Sequence, residues 1–97
     1  MKIAKVVGVA VSTEKAPRLE NSKLLLVQET DPAGKTSGTI YIAQDMVGAG
    51  QGELVFLVEG STARVASGDR ENPVDAAIVG ILDSLTVNEK TTYQKYG

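Results

Sequence analysis

Between positions 45 and 82 the chain reads DMVGAGQGELVFLVEGSTARVASGDRENPVDAAIVGIL, and this stretch narrows the possible folds more than any other. A glycine-rich turn leads into a short apolar segment, then a second turn and a polar loop, then another apolar segment. Half of the ten glycines fall between Gly48 and Gly68. Gly48, Gly50 and Gly52 permit φ > 0 or a close backbone approach, which a Cβ resists. Residues 53–59 (ELVFLVE) have the length of a strand and no polar face, the pattern of a strand covered on both sides. Residues 74–82 repeat it after Pro73. Neither segment carries a nucleophile, a general base or a ligand cluster, so both are suited to packing.

The rest of the chain has the same character. Residues 3–11 (IAKVVGVAV) are rich in β-branched side chains and predict a first strand, with Gly8 marking a bend or bulge. Residues 12–21 (STEKAPRLEN) hold charges and a proline and predict an exposed loop. Residues 23–28 (KLLLVQ) predict a second strand and residues 39–44 (TIYIAQ) a third. Between them, Asp31-Pro32-Ala33-Gly34-Lys35 has Pro at the second position of a turn and Gly where φ > 0 is wanted. After the fourth strand, Ser61 or Thr62 is expected to cap one or two helical turns over residues 63–66, ending near Gly68. Residues 68–73 (GDRENP) predict a charged loop, and residues 76–87 the fifth and longest strand. Asn88-Glu89-Lys90 turns the chain back, and residues 91–96 (TTYQKY) form a final strand or an arm. Five strands with one short helix predict an all-β chain, a small, partly open OB-like barrel. The usual OB helix lies between the third and fourth strands and this one between the fourth and fifth, so the pattern does not fix the strand order.

A chain of 97 residues is one domain, 1–97, with 88–97 as a C-terminal arm or tail. Its core is aliphatic: one Phe, three Tyr and no Trp. Without cysteines it has no disulfides either, and a domain this small is most readily supported by copies of itself. The lack of Cys and His removes thiol and imidazole chemistry together with zinc-thiolate sites. With no paired acid and base in the sequence, no catalysis, cofactor or metal is expected. No apolar run approaches the ~20 residues of a membrane span, and residues 1–12 lack the continuous apolar core of a signal peptide.

The remaining motifs have bland readings. Gly48-Ala49-Gly50-Gln51-Gly52 evokes dinucleotide-binding turns, but those open a helix within a βαβ unit, and here a strand follows. Asp45, Asp75 and Asp83 suit turns and strand ends better than a carboxylate cluster. Arg64, between Ala63 and Val65, suits a subunit interface, where a guanidinium forks onto carbonyls or a carboxylate, and the alternative is an exposed surface arginine. Tyr93 and Tyr96 anchor an arm on a neighbour or belong to a solvated tail. Binding of single-stranded nucleic acid by an OB-like barrel needs aromatic platforms in a basic groove. This chain has four aromatic residues and a net charge of −2.

VGAGQGELVFLVEGSTAR followed by NPVDAAIVGILDSL resembles the signature of the bacterial microcompartment vertex proteins, the EutN/CcmL family. The opening KIAKVVGVAVST and the segment KLLLVQETDPAGK resemble the same family's first half, so the likeness spans residues 2–87. The resemblance implies a structural shell protein, not an enzyme: a cyclic pentamer, with a hexamer as the other ring size. Such a ring closes the corners of a polyhedral shell in the bacterial cytoplasm. Its partners would be itself and hexameric shell proteins, with no nucleic acid and no membrane. The VGAGQGELV wording leans toward a catabolic metabolosome over a carboxysome. Gly48, Ala49, Gly50, Gly52, Gly60, Ser61, Thr62, Ala63, Arg64 and Asp75 are the residues expected at a subunit interface or pore. An OB-like binding module for nucleic acid or another small ligand is the alternative.

Overall fold

A computed structural model describes residues 1–12, 23–68 and 73–96. The expected loops at residues 12–21 and 68–73 lie almost wholly outside the described residues. The elements are β1 (Lys2–Ala10), β2 (Leu24–Thr30), β3 (Thr36–Asp45), β4 (Leu54–Glu59), α1 (Gly60–Ala66), β5 (Ala76–Ile81), β6 (Ser84–Val87) and β7 (Lys90–Gln94).

Five strands form a barrel in the order β1-β2-β3-β5-β4, and β4 pairs back with β1. The barrel is closed, which corrects the expectation of a partly open one. Closure comes from a short parallel ladder between β3 and β5, Gln44 with Ala77 and Asp45 with Ile78. The helix does fall between β4 and β5. The connection from β3 to β4 is the glycine turn, and it sends Ala49 into the barrel core.

Strand alternation sorts the side chains. Ala4, Val6, Leu25, Val27, Ala43, Val55, Leu57, Ala76 and Ile78 point inward and make the core with Ala49. Gly8 sits at a bulge, where the register of β1 against β2 shifts between Val6 and Gly8. That extra residue turns the strand without moving the inward set off the core.

Two local expectations fail. The predicted long fifth strand is broken. Leu82 still donates to the Leu54 carbonyl at 2.9 Å, but β4 starts at Leu54, so the ladder has no further partner. From Ser84 the chain pairs with β7 instead, turning at Asn88 (φ 51) and Glu89 (φ 67). Two consecutive positive φ values match the twist a two-residue hairpin requires. At α1, neither Ser61 nor Thr62 is the cap: Glu59 holds that position in extended backbone, with no side-chain hydrogen bond. The helix stops as expected, with Gly68 at φ +79 donating to the Val65 carbonyl at 3.0 Å.

Candidate assembly surface

The glycine turn, residues 46–53, is shaped by the two carboxylates that flank it. Asp45 Oδ1 accepts the N–H groups of Val47 and Gly48, both at 3.1 Å. Its side chain is only 1% exposed, and Lys23 Nζ lies 3.7 Å from Oδ2, which offsets part of the cost of burying the charge. At the other end Glu53 Oε1 accepts the Gly50 N–H. The Gly52 N–H donates to the Val6 carbonyl at 2.9 Å, tying the turn to β1. Gly48 (φ +79) and Gly52 (φ +84) supply the left-handed backbone on which this path depends.

Glu53 also joins the turn to the C-terminal hairpin. Lys95 Nζ lies 2.6 Å from Glu53 Oε2. This ammonium, followed by the Gly50 N–H, holds the Glu53 carboxyl below the ordinary carboxylate range. The same pair raises the Lys95 ammonium above its ordinary value. Thr92 Oγ1 donates to the Pro32 carbonyl, and the Lys95 N–H donates to the Asp83 carbonyl at 2.8 Å. At Gly34 an added Cβ would touch both Leu54 and Tyr93, each within 3.7 Å. The arm and Tyr93 therefore close on their own subunit, while Tyr96 stays 86% exposed.

The α1 segment is held lightly. Ala63 is its only buried residue, packed with Val58 and Ala77 and flanked by Val79. Gly60, Ser61, Thr62 and Val65 face outward. Arg64 is half-buried and forms no ion pair among the described residues. Asp75 is exposed, and it is its carbonyl that acts, accepting the Gly60 N–H at 2.8 Å.

Of the ten expected site residues, the structure thus gathers Gly60, Ser61, Thr62, Ala63, Arg64 and Asp75 around α1. Gly48, Ala49, Gly50 and Gly52 form the separate glycine turn. Ala49 and Ala63 are buried within their own subunit, at 1% and 0% exposure, so they shape these surfaces without being available to a partner. Sequence reasoning missed Glu53 and Lys95. Their link joins residues far apart in sequence, and only the fold reveals it. Asp45 carried a legible signal, an Asp two residues before the turn's N–H groups.

The chemistry available here is that of contact surfaces. Asp45, Asp75 and Asp83 do not converge, and no group of three acidic side chains among the described residues is placed to hold a metal ion. A depression of about 190 Å³ lined by Met1, Lys2, Leu57, Val58, Glu59 and Thr62 has its charges already spent. Lys2 Nζ lies 3.0 Å from Glu59 and 3.2 Å from Glu29. The aromatics are dispersed. Tyr41 packs against the barrel core, Phe56 lies across Gly80, Tyr93 covers Gly34, and Tyr96 is at the tail. Four separated rings make no stacking platform of the kind a single-strand binder uses.

The sequence profile of the family described as "Ethanolamine utilisation protein EutN/carboxysome" matches residues 1–83. The carboxysome shell vertex protein CcmL of Synechococcus elongatus is 45% identical over 95 residues, covering 98% of this chain and 96% of that protein. The bacterial microcompartment shell vertex protein PduN of Salmonella typhimurium is 50% identical over 92 residues, covering 89% and 99%. Among solved structures, the pentameric microcompartment shell protein GrpN of Rhodospirillum rubrum superposes with a TM-score of 0.82 at 38% identity. That match covers 90% of this chain and 99% of GrpN. On these matches the chain belongs to the EutN/CcmL family, a family of structural shell proteins and not of enzymes.

Proposed function

We propose that this chain forms a cyclic homopentamer that closes the vertices of a bacterial microcompartment shell in the cytoplasm. The observation that carries the reading is a likeness over nearly the whole chain to vertex proteins and to a pentameric shell protein. The surface supports it. A small domain leaves Ile40, Ile42, Met46, Val47 and Val65 between 40% and 58% exposed and a half-buried Arg64 without an ion pair among the described residues. Apolar surface left over on so small a barrel is what a closed ring would cover. On this reading Gly48, Gly50, Gly52, Gly60, Ser61, Thr62, Arg64 and Asp75 belong to the ring's contact or pore surfaces. Hexameric shell proteins meet its rim, and neither nucleic acid nor a cofactor takes part. A catabolic shell is the favoured subtype, on the wording of the VGAGQGELV turn.

Flat sheets of hexagonal tiles close only where five-fold positions are inserted. A strain lacking this chain should therefore build facets without corners, giving elongated or uncapped compartments with normal amounts of the other shell proteins. Electron microscopy of that strain decides the matter. Closed polyhedra of ordinary size, with no other vertex protein expressed, would refute the assignment.

A further inference from the structure

The C-terminal hairpin is joined to the barrel differently from every other strand. β6 and β7 pair only with each other, as a two-stranded sheet separate from the barrel. None of residues 83–96 is buried. A two-stranded hairpin with so little apolar surface covered is at best marginally stable alone in water. It depends on its attachments, and among the described residues these are few. Lys95 Nζ meets Glu53 Oε2 at 2.6 Å, Thr92 Oγ1 donates to the Pro32 carbonyl, and Tyr93 lies with Leu54 against Gly34. Two turns far apart in sequence are reached in this way. Pro32 and Gly34 belong to the turn between β2 and β3, and Glu53 closes the glycine turn, where its other oxygen accepts the Gly50 N–H. The chain entering the hairpin is fixed as far as Leu82, which is buried and donates to the Leu54 carbonyl at 2.9 Å. Asp83 follows and is exposed.

We infer that the β6–β7 hairpin is a strap, hinged between Leu82 and Asp83, that holds the glycine turn in shape and opens as one piece while the barrel stays folded. The ladder pairs Ser84 with Gln94 and Leu85 with Tyr93, and the Lys95 N–H donates to the Asp83 carbonyl at 2.8 Å. Thr92, Tyr93 and Lys95 are therefore carried on one paired unit, and a rotation about its base withdraws all three together. Glu53 then loses the ammonium that faces it, and the Gly50 amide loses a carboxylate held in position. Leu54, 2% exposed in the closed form, gains access to water at the same moment. Segments with few buried apolar contacts are the ones that open below the free energy of global unfolding. The inference does not depend on the pentamer reading, since every contact it uses lies within one subunit.

Hydrogen exchange of the full-length protein, read at single amides, tests this. In the unsubstituted protein the Lys95 amide is expected to exchange faster than the barrel amides of Val27 and Leu57 by about an order of magnitude or more. Thr92→Val then removes the hydroxyl that reaches the Pro32 carbonyl, on a turn to which Gly50 does not belong. The amides of Lys95 and Gly50 are expected to quicken by the same factor, about five-fold for the loss of one hydrogen bond. The Val27 and Leu57 amides and the thermal midpoint should not move. A Gly50 amide that is unchanged in Thr92→Val overturns the inference, because the attachments then act separately. Equal acceleration at Val27 and Leu57 overturns it too, because the hairpin then unfolds with the barrel. Should the variant not fold, the unsubstituted protein decides alone. A Lys95 amide that exchanges only at the barrel's rate overturns the strap, and one that exchanges ahead of the barrel in step with Gly50 sustains it.

Discussion

The outer surfaces of two strand pairs in the same barrel have opposite treatments. On β4 and β5 nearly everything apolar that points outward is covered by the chain itself. Leu54 lies under the Asp31–Gly34 turn and Tyr93, at 2% exposure. Phe56 lies across Gly80, where an added Cβ would stand 2.9 Å from its ring, and Val58 with Ala77 is roofed by Ala63 of α1. On β2 and β3 the equivalent positions, Leu26, Ile40 and Ile42, have no such roof among the described residues, and Ile40 and Ile42 are exposed. Both strands open on an apolar run, LLLV in β2 and LVFLV in β4. What differs is whether a later part of the chain returns to lie on them. The covered side serves the stability of one subunit, and the bare side stays exposed on it.

The largest expected effect falls on the covered side. Leu54→Ala should cost about 2–5 kcal/mol, since it removes a fully buried side chain beneath a roof that cannot collapse completely. Denaturant titration reads it, and a loss comparable to an exposed substitution would show that the roof is loose. Arg64→Ala comes next, on the lightly held helix between the two regimes. If a neighbour's acceptors satisfy Arg64, truncation should weaken each subunit contact by about 1.5–3 kcal/mol while leaving the barrel's own melting nearly unchanged. Ring dissociation on dilution measures this, and unchanged dissociation would make Arg64 a solvated residue.

The smallest effect belongs to the clasp between hairpin and glycine turn. Lys95→Met should speed hydrogen exchange at the Gly50 amide with little change in global melting. It should also alter the acid limb of stability. The Glu53 carboxyl has its pKa lowered in the fold from 4.5, so its contribution is present above that value and is lost as pH falls through the lower folded one. Without Lys95 that acid-side loss should shrink. Lys95 is raised from 10.5, so its contribution is complete below that value and lost only in strong alkali. A wild-type and variant stability difference that stays constant from neutral pH to pH 3 would rule the clasp out.

How much of this was legible depends on the distance over which each feature is decided. Strands β1 to β4, the bulge at Gly8, the turn at Gly34 and the helix stop at Gly68 follow from nearest-neighbour patterns, and they appear within a few residues of where the sequence puts them. The break between β5 and β6 was not legible. Residues 76–87 are uniformly strand-forming, and the break occurs because β4 runs out of partners at Leu54. The candidate residues around α1 stand next to one another in sequence, so their grouping was visible. The burial of Ala49 and Ala63 was not, because small residues read alike in a turn and in a core.

By itself the sequence determined a small all-β fold with no thiol or imidazole chemistry, since composition and short-range pattern suffice for that, and its resemblance over residues 2–87 pointed to the vertex-protein family. Tertiary structure decided three further things: that the barrel closes through a parallel β3–β5 ladder, that the C-terminal hairpin folds back onto Glu53, and that Ile40 and Ile42 on the outer face of β3 stay exposed. Each of these depends on which distant segments meet. A local pattern specifies that a strand has an apolar face, and only the path of the whole chain specifies what lies on it.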